Sequence, residues 1–356
     1  TLLTSIGLWF EAPNYEQLVD APVEISNFQE AFFDERGSRY RVVVDGDPSD
    51  YDLQKIVSID HSLVAAAASW MDDSPFPGYT FYYHFPRGNA GGGMEHSFST
   101  AIDLSAQVLR DEPMALPNVT AHEFFHLWNV KRIRPQSLEP VDYTRENYTR
   151  ALWFSEGVTS TVEACILLRA GLLDERHFLD RLAEEIAQLE RRPAHTTQSA
   201  EEASLDAWLE KYPLYRRPER SISYYNKGEL LGVMLDLQMR EASHGSASLR
   251  DLFRWMNENF AKPGKFFADS QGVRQAAEAV THADLAPFFD KYVAGREEIS
   301  WNDFFSTVGL RLDKNERQAG DPGITAVPDF GKPPTIASVA PGSEAERAGV
   351  HAGDTL

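Results

Sequence analysis

His122-Glu123-Phe124-Phe125-His126 sets two imidazoles and a carboxylate within five residues of chain. Histidines at i and i+4 lie on one face of a helix. Two ring nitrogens can grip one zinc ion there, and Glu123 can act as general base toward a water held by that ion. This chemistry points to a metal-dependent hydrolase, first of all a peptidase. Phe124, Phe125, Leu127 and Trp128 flank the motif. A helix so apolar is largely buried, and buried imidazole and carboxylate groups need a partner. A metal ion supplies one.

A catalytic zinc takes three protein ligands and keeps one position for water. His84, His96, His177 and His195 are available, but Glu156, in Trp153-Phe154-Ser155-Glu156-Gly157, is the better third ligand. A carboxylate inside an apolar stretch calls for a counter-charge. Glu163 falls on the same helical face. It reads either as an acceptor for the far nitrogen of a ligand histidine or as a plain surface glutamate.

These residues need elements to hold them. Thr120–Val130 is the expected metal-binding helix, and Tyr148–Leu168 the helix of the third ligand. Asp174–Arg191 reads as a helix capped by Asp174, followed by a polar loop, 194–203. Further helices are expected at 227–242, 248–260, 272–280, 284–293 and 300–308. Ahead of them, Asp50–Met71 has helical spacing with Asp50 as N-cap. Tyr40–Asp45, Tyr79–Phe85 and Ser97–Leu104 read as strands, with glycines at 88 and 91–93 between the last two. Residues 1–30 hold short apolar pieces broken by Pro13 and Pro22, read as the remnant of a β-rich domain. After Gly309 the chain turns rich in Gly and Pro, with a short strand at 335–339 and a short helix at 344–349.

The chain has 356 residues, of which 42% are hydrophobic and 25% charged, enough for two or three domains with a sizeable core. A net charge of −20 argues against nucleic acid as the main partner, since phosphate binding needs a basic surface. The single Cys165 excludes an intrachain disulfide and a cysteine-based zinc site; in its apolar run it reads as a buried small hydrophobe. No apolar run is long enough to span a membrane. The ends, Thr1 and Asp354-Thr355-Leu356, read as those of a fragment or processed product. The compartment stays open between bacterial cytoplasm and periplasm.

Taken together, the motifs resemble the gluzincin metallopeptidases, whose third ligand is a glutamate in a W-x-x-E-G context. Gly92-Gly93-Met94-Glu95-His96 is similar to the G-x-M-E-N motif of the M1 aminopeptidases, and Tyr225-Asn226-Lys227-Gly228 to their Y-x-K-G. The finer resemblance is to the M61 glycyl aminopeptidases. It rests on His126–Pro135 (H-L-W-N-V-K-R-I-R-P), on the G-G-M-E-H run, and on a trailing PDZ-like segment, Val339–Leu356. The stretch between His126 and Glu156 is longer than in M1 enzymes and fits M61, and His96 stands where M1 has asparagine.

The resemblance implies Zn²⁺ held by His122, His126 and Glu156, and peptide substrates with small N-terminal residues, glycine or alanine. It also implies Tyr225 as donor to the developing oxyanion, with the adjacent Tyr224 as the alternative. Glu95 would anchor the substrate's α-ammonium, and Gly93 and Met94 would line the substrate path. The expected fold is α+β. It comprises a remnant at 1–30, a thermolysin-like catalytic domain with mixed sheet and helical lobe at 31–195, a helical subdomain at 196–308 and a truncated PDZ-like domain at 309–356. Three other readings stand beside the aminopeptidase: a zinc endopeptidase without amine recognition, a PDZ-containing binding or scaffold protein with an inactive metal site, and a hydrolase of non-peptide substrates.

Overall fold

A computed structural model describes residues 4–6, 9–210, 218–314, 322–329 and 332–355. The expected N-terminal remnant, helical subdomain and PDZ-like tail each lie partly outside these residues. The chain divides into two compact units, one of residues 1–86 and 90–312, the other of 87–89 and 313–356.

In the larger unit, a hairpin of β1 (Thr4–Ile6) and β2 (Trp9–Glu11) leads to a short helix α1 (Tyr15–Val19), whose N-cap Asn14 accepts from Gln17 N. A five-stranded mixed sheet follows. Its strands are β3 (Gln29–Glu35), β4 (Ser38–Gly46), β5 (Gly78–Phe85), β6 (Gly91–Glu95) and β7 (Ser99–Leu104), in the order β3-β4-β5-β7-β6. Arg36 and Gly37, both at positive φ, make the two-residue turn between β3 and β4. Parallel pairing of β4 with β5 requires a crossover, supplied by α2 (Leu53–Met71). Asp52 caps that helix, accepting from Gln54 N and Lys55 N, whereas Asp50, the cap expected from sequence, pairs with Arg110.

Along β5 the side chains alternate. Tyr79, Phe81, Tyr83 and Phe85 are buried while their neighbours are half-exposed. The buried row faces α4 (Ala115–Phe125), which follows the short α3 (Ala106–Asp111). Phe124 meets the rings of Tyr40, Tyr79 and Phe81 at centroid distances of 6.3, 5.1 and 5.6 Å. Replacing such a ring by alanine costs about 3–5 kcal/mol, so Phe124 fixes how α4 lies on the sheet. With it are fixed the faces of His122 and Glu123.

The helix expected to bind metal, α4, starts at Ala115 and ends at Phe125, ahead of the expected 120–130, with His126 as its C-cap. Asn129 explains the early stop. Its buried side-chain amide donates to Phe154 O and Thr159 Oγ1, both at 3.0 Å, and so draws the chain off the helix axis. The expected helix 148–168 starts only at Leu152, because the Thr149 hydroxyl accepts from Ala151 N at 3.1 Å and turns the chain there. Its first turns, Trp153–Val158, are π-helical, and the α-helix α5 (Thr159–Arg169) continues from them. Helix α6 (Glu175–Glu190) carries the expected Asp174 cap. The expected loop 194–203 instead holds the start of α7 (Ala200–Leu205), nucleated by a Ser199–Glu202 capping box. After α8 (Ala207–Glu210) comes α9 (Tyr224–Ala242), which begins three residues ahead of the expected Lys227 because Ser223 caps it.

The smaller unit contains the antiparallel pair β8 (Ile324–Asp329) and β9 (Lys332–Val339), a short helix Glu344–Arg347 capped by Ser343, and a bridge from Thr335 to Thr355. Among the described residues, no helix is long and apolar enough to cross a membrane.

Candidate metal centre and active site

Helix α4 presents His122 and His126 one turn apart, with ring centroids 4.7 Å apart. The π-helical turn brings Glu156 to both. Its Oε2 lies 3.4 Å from His122 Nε2 and 3.3 Å from His126 Nε2. A tetrahedral zinc with bonds of about 2.0–2.1 Å needs its donors roughly 3.3 Å apart. The donor spacing fits such an ion.

The far ring nitrogens are also committed. His126 Nδ1 lies 2.6 Å from the Asn129 carbonyl, which can only accept, so Nδ1 carries the proton and Nε2 keeps its lone pair for a metal. His122 Nδ1 faces Glu163 Oε2 at 3.5 Å and Ser160 Oγ at 3.4 Å. Arg181, from α6, donates to Glu163 at 2.7 Å and reaches Glu229 of α9 at 2.9 Å. Burial would raise the Glu163 pKa, but the Arg181 and His122 charges hold it below the ordinary carboxylate value. Glu156 is held well below that value too, because the two imidazoles outweigh its burial.

Glu123 is different. It is 7% exposed, and its Oε2 has no hydrogen-bond partner among the described residues. Burial pushes its pKa up to about 7 against the pull of the two imidazoles. A carboxylate with a free oxygen and a pKa near neutrality is suited to accept and return a proton. Room for it comes from strand β6. A Cβ on Gly93 would fall 2.4 Å from Glu123 Cγ and 2.5 Å from Oε1. Gly93, expected on the substrate path, therefore abuts the candidate base, while Met94 is 60% exposed beside a second hollow.

Glu95 ends β6, opposite Thr100 of β7 at the sheet edge. Its carboxylate lies in one cluster with those of Glu123 and the His126 ring, all ligand atoms within 4.8 Å. Two hollows meet at Glu95. One, of about 570 Å³, is walled by Leu138, Val141, Leu152, Trp208 and Tyr224 and reaches Glu156. The other, of about 500 Å³, runs over α1 past His96 to Tyr143. Lys131 and Arg134 line both.

Tyr225 is half-buried, its ring 6.2 Å from that of His122 and stacked at 4.9 Å on Tyr224. Tyr224 is buried and lines the larger hollow. Both tyrosines reach the centre because α9 lies hard against the π-helical turn. A Cβ on Gly157 would fall 2.4 Å from Gly228 Cα, and one on Gly228 2.3 Å from Trp153 O. The glycines that close the W-x-x-E-G and Y-x-K-G runs are thus each other's packing partners.

The other histidines stand apart from the centre. His84 pairs with Glu24 and Asp103, His96 with Asp20, His177 with its cap Asp174, and His195 with Glu298. Arg181, Glu229 and Asp20 carry no local signal in the sequence, and Asn129 lies within the H-L-W-N run with nothing in its spacing to mark its role.

Residues 115–231 match the family model of the M61 glycyl aminopeptidases. No curated protein matches the chain. Among solved structures, an aminopeptidase N family protein from Idiomarina loihiensis is similar over 99% of this chain, with a TM-score of 0.83 and 25% identity. This chain spans 64% of the length of that protein. More distant likenesses are aminopeptidase A of Legionella pneumophila, in complex with aspartic acid (TM-score 0.47, 15% identity, 75% of this chain and 28% of that one), and an M1 zinc metallopeptidase from Deinococcus radiodurans bound to a Tyr-Ser-Ala substrate (0.49, 15%, 76% and 53%). The stretch that carries both histidines, Glu123, Glu156 and the tyrosine pair thus matches the M61 glycyl aminopeptidase family, within an α+β fold similar to that of the Idiomarina protein.

Proposed function

We propose that this chain is a zinc-dependent aminopeptidase that hydrolyses the first peptide bond of peptides. The carrying observation is one Glu156 oxygen 3.3–3.4 Å from the Nε2 of both histidines, with the three donors within 4.8 Å of one another, beside a buried glutamate whose second oxygen has no partner among the described residues. A purely structural ion would have no use for such a base.

Zinc, when bound by His122, His126 and Glu156, supplies Lewis-acid polarisation of the scissile carbonyl and a lowered pKa for water. Glu123 takes the proton of the attacking water through its free oxygen and returns it to the leaving amine. Tyr225 donates its hydroxyl to the oxygen on which charge develops. The Asn129 carbonyl and Glu163 hold the two imidazoles in the orientation that keeps each Nε2 toward the ion. Glu95, at the sheet edge, takes the substrate's α-ammonium and so sets which bond reaches the centre. The match to the glycyl aminopeptidase family supports glycine or alanine as the preferred N-terminal residue. We read the smaller unit as part of a PDZ-like module, in keeping with its β8–β9 pair and short capped helix.

The test is elemental analysis of the purified protein together with cleavage of glycyl and alanyl peptides, free and N-acetylated. Bound zinc and selective cleavage of free-amine peptides are expected. Equal cleavage of both would make the protein an endopeptidase. Zinc without turnover of either would leave a binding protein.

A further inference from the structure

A carboxylate that must receive a substrate's ammonium works only if no resident cation occupies it first. Lys131 is such a cation. It follows the metal-binding helix directly, its backbone N–H bonded to His126 O at 3.0 Å, and it lines the same two hollows as Glu95. Its ammonium is engaged elsewhere, 2.8 Å from Asp20 Oδ1.

Asp20 sits at the end of α1, far from the site in sequence, and makes three contacts at once. Besides Lys131, its Oδ2 accepts from Ser97 N at 3.0 Å, and its Oδ1 lies 3.4 Å from His96 Nδ1. His96 and Ser97 are the two residues after Glu95, in the turn that joins β6 to β7, and His96 N donates to Ser99 O at 2.8 Å to close that turn. His96 is 7% exposed, so its ring faces Asp20 rather than open solvent. One carboxylate therefore joins the end of α1, the turn after Glu95 and the chain leaving the metal-binding helix. Burial would raise the Asp20 pKa, but the His96 hydrogen bond and the Lys131 charge outweigh it and hold the group ionised, well below the ordinary range.

We infer that Asp20 is a positioning residue for amine recognition: by holding Lys131 and the His96–Ser97 turn, it keeps Glu95, which has no ion-pair partner among the described residues, open to the substrate's α-ammonium. This rests on the aminopeptidase reading and adds to it how the anchor stays vacant. It also explains His96 in this chain. At that place the ring braces the turn against Asp20 and has no need to touch substrate. When Asp20 is lost, the freed Lys131 ammonium competes with substrate for Glu95.

The experiment measures kcat and KM of the zinc-loaded full chain on alanyl peptides, free and N-acetylated, for Asp20→Ala, Lys131→Ala and the double variant. Asp20→Ala should raise KM for free-amine peptides about fivefold (about 1 kcal/mol), with kcat, zinc content and N-acetylated controls unchanged. Removing Lys131 as well should restore most of the lost KM, a rescue that a merely structural role for Asp20 would not produce. A double variant as weak as Asp20→Ala alone, or a KM rise shared by N-acetylated peptides, overturns the inference. Glu95→Ala separates the two layers. If it affects free and acetylated peptides alike, the amine-anchor reading itself falls and this inference falls with it. If it is selective while the Lys131 rescue fails, only the role of Asp20 is wrong.

Discussion

Gly93→Ala tests the proposed role of Glu123 as catalytic base with one methyl group. The Gly93 backbone is not in the left-handed region, so alanine meets no conformational barrier there, and only space matters. The new Cβ would stand 2.4 Å from Glu123 Cγ, 2.5 Å from Oε1 and 2.6 Å from Cδ. Ordinary contact begins near 3.4 Å, so the carboxylate must retreat by about 1 Å. Strand β6 is pinned to β7 by the Gly93–Ile102 pairing, so the side chain of Glu123 gives way rather than the strand. Rotating it off its rotamer costs about 0.5–1.5 kcal/mol, a small loss of stability. The catalytic cost is larger, because a 1 Å misplacement of a reacting group can cost about 100-fold in rate. The expected result is a kcat about 100-fold lower on an alanyl peptide, with zinc content unchanged and the melting temperature within a few degrees of the parent. The assay is steady-state kinetics alongside elemental analysis and thermal unfolding. A folded, zinc-replete Gly93→Ala protein with kcat within about threefold of the parent would refute the assignment of Glu123 as base, since the crowding is unavoidable.

Arg181→Met should weaken zinc binding about 10- to 100-fold, because Glu163 loses the charge that holds it toward His122; unchanged affinity in a chelator competition would show that Arg181 only stabilises the fold. Tyr225→Phe should lower kcat about 100-fold with zinc retained, and if Tyr224→Phe carries that loss instead, the donor is the neighbouring ring. Asp60 gives a pH dependence. It is fully buried behind α4, accepts from the Tyr83 hydroxyl at 2.8 Å, and burial pushes its pKa up to about 8. A carboxyl raised in the folded state stabilises fully below its unfolded pKa near 4, and that stability drains as pH climbs through about 8, by up to roughly 5 kcal/mol. Asp60→Asn should therefore flatten the fall in unfolding free energy between pH 4 and 8 in denaturant titrations, and a variant with the parent's full slope would show that Asp60 is charged in the fold.

Much of the centre was legible because its parts are local. His122 and His126 share a face by helical periodicity alone, and Glu156 stood out as a carboxylate in an apolar run. The long helices and the strands β4, β5 and β7 followed from the same periodicities. Boundaries were less legible where a side chain from elsewhere decided them. Asn129 ends α4 by bonding to the next helix, to Phe154 O 25 residues on in sequence. Asp52 rather than Asp50 caps α2, and Asp50 pairs instead with Arg110.

Spacing along the chain determined that His122 and His126 share a face, since i and i+4 neighbours on a helix meet whatever the rest of the molecule does; only folding brings Glu156 to them. What surrounds those donors was decided only by folding. The Glu163–Arg181–Glu229 chain joins three helices, Gly93 meets Glu123 across from the sheet edge, and Asp20 reaches the turn after Glu95 from 77 residues away. Backbone periodicity sets which residues neighbour one another along an element. It carries no information on which elements pack together, and apart from the local His126–Asn129 contact the groups around this candidate centre meet across elements.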